Sequence, residues 1–524
     1  MCRESHSALL GQGGSVNTKR TFCVNVPLSL FVGMAVAISV LVVTSSGRAI
    51  PAFSRKYQTS CTTCHNNYPE LNDFGEAFKK NGFKFPTDDE AFVKQDPVLL
   101  GSKAQKEAFP GAVYPGEIPG TLPIAFRYEG NLNWNASQPQ AVAGAPGGYV
   151  PRTDLFVPNT FTIISAGSLG QNFSFWIDDD ISAGGSGANG GLGDGWLKYN
   201  DLGRVFQLPK NSLNVRFGQF ELDLPFTQAR TYYLSGYDVF GQANVAQNPC
   251  AAVPTIGPGT VCQTEDNPFV LGTPQRGIEF GGTPNNGNFN WSVAITDGTG
   301  SAYGQPGTLS TRNTKDVYLR TSYKFNLERD PGSRHAVQAA GPTGPHDHTS
   351  IRIGGFYYYG KNQQNFGGSS LGAFGLTNTL DEPFYRTGAD IRFKYRKLEL
   401  YGVGLVGHDD DHLLTIDALG NGALTSAHAV TFTGGFVAGN YWLYPWLIAT
   451  VRYDFVNSPS DFVNGVSQNR TRNDFRPGYQ ILVRANIKVV GEYTRHWGVP
   501  YQDAAGNTLF YRPNTFITGI DYVF

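Results

Sequence analysis

The chain has 524 residues, of which 16% are charged and 13% are aromatic. This charged fraction is low for a soluble globular protein, in which about a quarter is usual. A formal net charge of −1 argues against a nucleic-acid partner, because phosphate neutralisation needs a basic surface. The mean hydropathy of −0.26 excludes a polytopic helical membrane protein, which needs repeated apolar runs of about 20 residues.

One long apolar run lies near the amino terminus. Two basic residues precede an apolar stretch over 26–43, and a segment of small residues ending at Ala49 follows it. This order predicts a secretory signal peptide over 1–49, although the stretch is also long enough for an uncleaved anchor helix. Both methionines, Met1 and Met34, fall within this segment. The mature chain is therefore expected to contain no methionine.

Residues 61–65 read Cys-Thr-Thr-Cys-His and match the C-x-x-C-H motif of covalent haem attachment. Two thiols at this spacing form thioethers with the haem vinyl groups, and the adjoining histidine reaches the iron. A zinc site would need two further ligands nearby, and residues 50–120 contain no other Cys or His. The motif predicts one haem c bound through Cys61, Cys64 and His65.

The segment over 50–120 is too short for a complete ordinary cytochrome c. A short helix is predicted from Pro69 to Lys80, with Leu71, Phe74 and Phe78 on one face that would cover one side of the porphyrin. We therefore expect this haem segment to depend on the rest of the chain for support.

The sequence does not identify the sixth iron ligand. Methionine is excluded from the mature chain, and the haem segment offers no second histidine. The alternatives are a distant histidine, the new amino terminus at Ile50, Tyr57, a lysine, or an open position. Among the distant histidines, His496 is the leading candidate because it shares a strand face with Lys488 and Glu492 that should point into the lumen. The alternative is that His496 is an ordinary pore-lining residue.

From about residue 121 the sequence alternates with a period of two. Ile391, Phe393 and Tyr395, for example, alternate with Arg392 and Lys394. In a membrane barrel the apolar face meets lipid and the charged face lines a wet lumen. The terminal Phe524, on an alternating strand, resembles the assembly signal of outer-membrane barrels.

Sixteen strands are predicted, an even number that fits bacterial barrels. They lie near 123–134, 157–166, 171–180, 194–201, 212–221, 276–283, 288–297, 315–325, 349–360, 384–395, 397–407, 427–437, 442–456, 476–485, 487–496 and 514–523. Long and short connections alternate, with the exception of a long Gly/Pro-rich connection over 326–348, so the first set is expected outside the cell. The longest, over 222–275, contains Cys250 and Cys262, whose Pro/Gly-rich setting predicts a disulfide.

The predicted fold is thus all-β: a porin-like transmembrane barrel of about 16 strands with a small α-helical haem segment at its amino end. The domains are expected to be a signal peptide over 1–49, the haem segment over 50–120, which would plug the barrel, and the barrel over 121–524. The expected location is the outer membrane of a Gram-negative bacterium.

This combination resembles the outer-membrane cytochrome–porin fusions of iron-oxidising bacteria. The resemblance is carried by Ala52-Phe53-Ser54-Arg55, by the C-x-x-C-H motif, and by PELNDFGEAFKKNGF over 69–83. Over the barrel it is architectural only. It implies a haem segment in or under the barrel that passes electrons inward from extracellular Fe(II). Related fusions occur in bacteria not known to oxidise iron, so electron transfer is implied more firmly than iron.

Charged residues of the barrel suggest two further sites. The lumenal cations Arg320, Lys324, Arg392 and Lys394 would hold the haem propionates, or else line a solvated pore. Acidic and imidazole groups suit Fe(II) or Mn(II), so two external clusters are candidate metal sites, or else solvated loops. One is the Asp run over 178–180, and the other consists of His408, Asp409, Asp410, Asp411 and His412.

Three functions follow from these features. The first is an outer-membrane electron conduit, whose partners are an external metal ion or other redox donor or acceptor, a periplasmic electron carrier, and membrane lipid. The second is a passive porin with a structural or sensory haem. The third is a haem peroxidase, which the absence of a distal acid–base pair beside the haem segment disfavours.

Overall fold

A computed structural model describes most of the chain beyond the predicted signal peptide. The described residues are 52–85, 98–99, 103–110, 117–118, 120, 122–135, 153–170, 172–181, 192–227, 239–242, 257–263, 267, 269–284, 288–298, 314–327, 349–365, 379–410, 412–426, 430–457, 462–463, 466–467, 471–498, 501–502, 508–510 and 514–524. The signal peptide over 1–49 and Cys250 of the predicted disulfide lie outside these residues. No helix within the described ranges is long and apolar enough to cross a membrane.

Sixteen antiparallel strands close into one barrel, as predicted. They are β1 (Ile124–Asn135), β2 (Thr153–Leu169), β3 (Phe173–Ile181), β4 (Leu192–Tyr199), β5 (Asn214–Phe220), β6 (Gln275–Gly282), β7 (Phe289–Thr296), β8 (Asp316–Asn326), β9 (Ser350–Asn365), β10 (Thr379–Tyr395), β11 (Leu398–Asp409), β12 (Val430–Tyr444), β13 (Leu447–Asn457), β14 (Arg472–Arg484), β15 (Ile487–Gly498) and β16 (Thr515–Val523). Strand β16 pairs with β1 from Thr515↔Asn135 to Val523↔Arg127, which completes the ring.

The two faces of the barrel wall differ in chemistry. On β10, Ile391 is 50% exposed, whereas its neighbours Asp390 and Arg392 are 4% and 8% exposed. The same alternation follows β8, where Leu319 is exposed and Arg320 is buried. An apolar outer face and a charged inner face are the pattern of a transmembrane barrel. The structure confirms the predicted fold class and agrees with the predicted outer-membrane location.

The long connection between β5 and β6 folds into the lumen. Val239 and Phe240, from its short helix Val239–Gln242, and its later residue Phe269 are buried. The Phe269 ring lies 4.4 Å from that of Tyr358 and 4.8 Å from that of Phe384, on the inner faces of β9 and β10. The described parts of this connection therefore fill part of the lumen with apolar side chains.

A small sheet lies in the connections at the predicted external end. Val261–Gln263, from the β5–β6 connection, pairs with His412–Ile416, which in turn pairs with Gly422–Ser426. The backbone of Cys262 is opposite Leu414 in this sheet. The predicted disulfide stays a prediction, because its other half is Cys250.

The amino-terminal segment consists of short elements. These are helix α1 (Ala52–Tyr57), a 3₁₀ turn (Cys61–Thr63), a small hairpin of His65–Asn67 with Glu70–Leu71, and helix α2 (Asp73–Lys80). Further along, helix α3 (Lys103–Ala108) lies between the paired strands Val98–Leu99 and Glu117–Ile118. Helix α2 begins where the Asn72 side chain accepts a 2.8 Å hydrogen bond from Gly75 N–H. It starts later than the predicted Pro69, because residues 70 and 71 belong to the hairpin.

Candidate cofactor site in the barrel lumen

The C-x-x-C-H motif is held in a tight local structure. Cys61–Thr63 forms one 3₁₀ turn, and Cys64 N–H donates to Cys61 C=O at 3.1 Å. Asn72 N–H then donates to the Cys64 carbonyl at 2.9 Å, which joins the motif to the start of α2. A Cβ at Gly75 would lie 2.0 Å from the Cys64 oxygen, so glycine is what allows this close approach.

The two cysteines are free thiols. Burial raises the pKa of Cys61, against hydrogen bonds that lower it. Burial and the neighbouring Cys61 together raise the pKa of Cys64 to about 12. Both side chains are therefore neutral thiols at neutral pH, in the form that can add across a vinyl group.

His65 is oriented as a metal ligand. Its Nδ1 lies 3.2 Å from the Pro69 carbonyl oxygen, which can only accept, so Nδ1 carries the proton and Nε2 keeps its lone pair. Burial lowers the pKa of His65 to about 4, with a smaller contribution from Lys488, so the imidazole is neutral at pH 7. Histidines that bind metals commonly donate their second N–H to a carbonyl in this way.

Cys61, Cys64 and His65 all border one lumenal cavity of about 530 Å³. This volume is within the range of about 300–1,000 Å³ that is typical of ligand sites. The segment provides one side of it, including the aromatic residues Phe53 and Phe78. The barrel provides the rest, from the inner faces of β1 to β10. The donor set and the cavity fit a covalently attached haem.

Carboxylates of the segment dock it against the barrel wall. Asp73 is 3.0 Å from Lys324 and 3.4 Å from Lys394, and Glu76 is 2.6 Å from Arg352. Glu70 pairs with Arg392. These contacts fall on β8, β9 and β10.

The carboxyl-terminal strands hold the hairpin of the segment. Lys488 on β15 donates to the Tyr68 carbonyl at 2.7 Å, and Asn67 donates to Gln480 on β14. The segment also contacts β1 and β4, where Arg55 donates to the Ile124 carbonyl and Lys198 donates to the Lys80 carbonyl at 3.0 Å. Its contacts are therefore distributed around the lumen.

The docking contacts correct the predicted role of four lumenal cations. Lys324 and Lys394 are paired with Asp73, Arg392 with Glu70 and Glu399, and Arg320 with Asp390. Their charges are thus balanced by protein carboxylates rather than left for haem propionates. The docking roles of Glu70, Asp73 and Glu76 were not predicted, although their spacing of three residues indicates one shared face.

His496 lies far from the cysteine motif. It is eight residues beyond Lys488 on the same strand, a separation of about 26 Å at the usual rise per residue. Its Nδ1 is 2.7 Å from Asp474, which also pairs with Arg476 at 3.0 Å. The structure does not bring His496 to the cavity, so its candidacy as the distal haem ligand is corrected.

The acidic residues around position 409 do not form one cluster, because they lie on different faces of β11 and beyond its end. Asp409 is fully buried, and its two oxygens accept from Arg386 at 2.8 and 3.0 Å. His408 Nε2 lies 3.0 Å from Asp410. Asp411 and the His412 side chain lie outside the described part of the structure. Because Asp409 is held by Arg386, it does not join His408 and Asp410.

The acidic run on β3 is also divided by strand alternation. Asp178 and Asp180 border the lumenal cavity, whereas Asp179 between them does not. The predicted external metal site at this run stays a prediction. Among the described residues, no group of three or more His, Cys, Asp or Glu side chains is arranged to hold a metal ion.

The candidates for a sixth ligand are now fewer. Tyr57 donates to the Phe83 carbonyl at 3.2 Å and stacks on Phe85 at 4.3 Å, so it is committed to packing. The described cavity lining has no histidine besides His65, and its remaining donors include Tyr68 and lysines 79, 80 and 198. Ile50 lies outside the described residues.

Comparison with known proteins finds no match to any protein-family model and no match to a curated protein. Solved structures with a similar strand arrangement are outer-membrane barrels. OmpF of Salmonella typhi, in complex with daunomycin, aligns at a TM-score of 0.44 with 9% identity, covering 77% of this chain and 98% of its own. The outer-membrane channel DcaP of Acinetobacter baumannii aligns at 0.41 with 13% identity, covering 76% and 96%. OmpT of Vibrio cholerae aligns at 0.36 with 10% identity, covering 82% and 100%.

Proposed function

We propose that this protein transfers electrons across the outer membrane through one haem c attached inside its barrel. The observation that carries the proposal is the placement of Cys61, Cys64 and His65 on a lumenal cavity of a closed barrel. The orientation of His65 supports it, because Nε2 is left free while Nδ1 is held by a carbonyl.

The residues of the segment have separate tasks. Cys61 and Cys64 would form the thioethers, and His65 would bind the iron. A haem held here supplies reversible one-electron chemistry. Phe53 and Phe78, in edge contact at 5.1 Å, shield this side of the cavity from water. The pairs of Asp73 and Glu76 with the barrel keep the segment at a fixed depth.

The lumenal position explains why a barrel is needed. The apolar band of an outer-membrane barrel is about 25 Å tall, and electron tunnelling falls steeply with distance. Within the lumen, a redox group is approached from both ends. We propose that an external donor such as Fe(II) loses one electron, becoming Fe(III), and that a periplasmic carrier gains it. The inward direction and the iron rest on the resemblance to cytochrome–porin fusions.

The alternative of a passive porin fits the same barrel architecture, although the segment and the β5–β6 connection both occupy part of this lumen. The peroxidase alternative has less support. A peroxidase commonly uses a general acid–base on the distal side, and the described cavity lining offers no histidine besides His65.

The test uses the full-length protein in liposomes. An oxidised soluble cytochrome is trapped inside and Fe(II) is added outside. We expect the trapped cytochrome to be reduced in liposomes with the wild-type protein and not in liposomes with the Cys61→Ala/Cys64→Ala variant. A trapped dye controls for leakage.

Two results would contradict the proposal. One is purified protein without covalent haem on a stained denaturing gel. The other is reduction at the same rate by the wild type and the double variant, which would indicate diffusion of Fe(II) through an open pore.

A further inference from the structure

Two lysines of the cavity lack a carboxylate partner. Lys198 on β4 donates to the Lys80 carbonyl at 3.0 Å, so two of its three N–H groups are left. Within the described part of the chain, neither Lys198 nor Lys80 has a carboxylate within ion-pair distance. Both side chains border the cavity that contains the cysteine motif.

The carboxylates that influence these lysines by longer-range electrostatics already form ion pairs with arginines. Glu76, the main one for Lys80, pairs with Arg352 at 2.6 Å. Glu279, which acts on Lys198, pairs with Arg216 at 2.7 Å. Partly buried ammonium groups without a counter-charge are stabilised when an anion binds to them. The described carboxylates elsewhere in the lining, among them Asp178 and Asp194, form no ion pair with either lysine, so these two lysines can bind an anion.

The arginines of the lining differ from these two lysines. Each arginine of the described lining forms an ion pair with a carboxylate; they are Arg127, Arg216, Arg320, Arg352 and Arg392. Lys80 and Lys198 are therefore neighbouring lining residues whose ammonium groups no described carboxylate contacts.

The position of the two lysines relative to the cysteines is the remaining argument. Helix α2 touches Cys64 at Gly75 and reaches Lys80 five residues later. This is about 7.5 Å of helix rise. In a haem, the vinyl groups that form thioethers and the propionates lie on opposite edges of the ring. An anion bound at Lys80 would therefore lie away from the thioethers, as the propionates of an attached haem do.

We propose that Lys80 and Lys198 form a carboxylate-binding site that holds the haem propionates. The proposal rests on the proposed function, since it needs the covalent haem. It assigns to these two lysines the role that the sequence had suggested for the lumenal cations on β8 and β10.

The test compares Lys198→Met, Lys198→Arg and Lys80→Met in the full-length protein carrying haem labelled with ¹³C at the propionate carboxyls. Lys84→Met is the matched control, because Lys84 belongs to the same segment, donates to the Gly170 carbonyl at 2.9 Å and does not border the cavity. The readouts are the haem-to-protein ratio, the oxidised-minus-reduced infrared spectrum and the midpoint potential.

We expect both methionine variants to keep covalent haem, because the thioethers do not depend on the lysines. Their propionate bands should shift, and their midpoint potentials should become more negative, since a lost positive charge stabilises the ferric form. Lys198→Arg and Lys84→Met should behave like the wild type. Should Lys198→Met fail to fold, Lys80→Met still tests the site from the docked segment.

Three outcomes would overturn the inference while leaving the covalent haem in place. The propionate bands could be unchanged in both methionine variants. Inorganic phosphate added to the wild type could shift the bands, which would make the site one for free anions. The axial-ligand spectrum could change in Lys80→Met, which would make Lys80 an iron ligand. Absence of haem from the wild type would instead contradict the proposed function.

Discussion

Gly75 is the residue at which the cysteine motif and helix α2 meet. A methyl group there would lie 2.0 Å from the Cys64 backbone oxygen, which cannot move without displacing the motif. We predict that Gly75→Ala destabilises the segment by about 1–3 kcal/mol and lowers the haem content. Haem-to-protein ratios measure the effect. Gly404→Ala is the control, because a Cβ there has open space; equal loss in both variants would contradict the prediction.

The buried pair of Arg386 and Asp409 gives a second prediction at the residue scale. Removing one partner leaves the other charge unpaired, which typically costs about 3–5 kcal/mol. We therefore expect Arg386→Met to lower the temperature at which the folded barrel converts to its unfolded form on a denaturing gel. Lys315→Met is the control, since it breaks an exposed pair with Asp297 at 2.5 Å, and such pairs contribute about 0–1 kcal/mol. Identical melting of the two variants would show that the buried pair is not structural.

Individual residues differ in how far the sequence predicts their roles. The C-x-x-C-H motif predicts haem attachment from the local sequence alone, because its five residues are consecutive and need no distant partner. The run containing Asp409 reads as one acidic cluster, but strand alternation turns Asp409 towards Arg386, which is 23 residues away. The sequence cannot give such a pairing without the register of β10 against β11.

At the scale of elements, helix α2 is fixed to the barrel by charge. Lys394 and Lys324 hold the pKa of Asp73 well below its usual range. A lowered pKa means that this stabilisation is complete above the ordinary carboxyl value near 3.9 and is lost as the pH falls towards the folded-state pKa. We predict that the segment resists proteolysis at pH 4.5 as at pH 7 and loosens only at more acidic pH.

The Asp73→Asn variant isolates this contribution. It should be cleaved faster than the wild type at pH 7, and the difference should narrow as the pH falls through the range in which Asp73 is protonated. Glu107→Gln, on the exposed face of α3, is the matched control. A difference between Asp73→Asn and the wild type that is independent of pH would attribute the effect to packing rather than to charge.

Strand boundaries show why element prediction has limits. The predicted strands 427–437 and 442–456 leave a turn over 438–441. The structure continues β12 to Tyr444 and turns at Pro445 and Trp446. Asn440 instead faces inward and donates to Glu399 at 3.3 Å. Glycine suits β12 because backbone and side-chain atoms of the neighbouring strands lie close to it. The local sequence does not reveal such contacts between strands.

At the scale of the whole molecule, the barrel closes through its own strands. Every strand from β1 to β16 pairs with two neighbours, and none of these pairings involves residues before 124. We predict that Cys61→Ala/Cys64→Ala removes covalent haem while the barrel still assembles. Haem staining and the heat-dependent gel shift of the folded barrel measure the two properties. A double variant that cannot assemble would make the segment part of the folding unit.

The alternation of residues and connection lengths was sufficient to predict the strand count and the barrel. The contents of the lumen were not predictable to the same degree. The contacts of Phe269 with Tyr358 and of Asp73 with Lys324 join residues about 90 and 250 positions apart in the chain. Such contacts depend on where each connecting segment enters the barrel lumen. The periodicity of the sequence contains no information about that position.

The docked position of the cysteine motif has a consequence for biogenesis. Cys64 lies inside the barrel, beside a glycine contact and behind a segment held by Asp73 and Glu76. If haem is attached as proposed, an enzyme that joins it to the two thiols would be larger than the lumen and would not reach them there. Haem attachment would then precede docking, while the segment is still outside the barrel. The order of maturation would be cofactor first and closure of the barrel around the segment second.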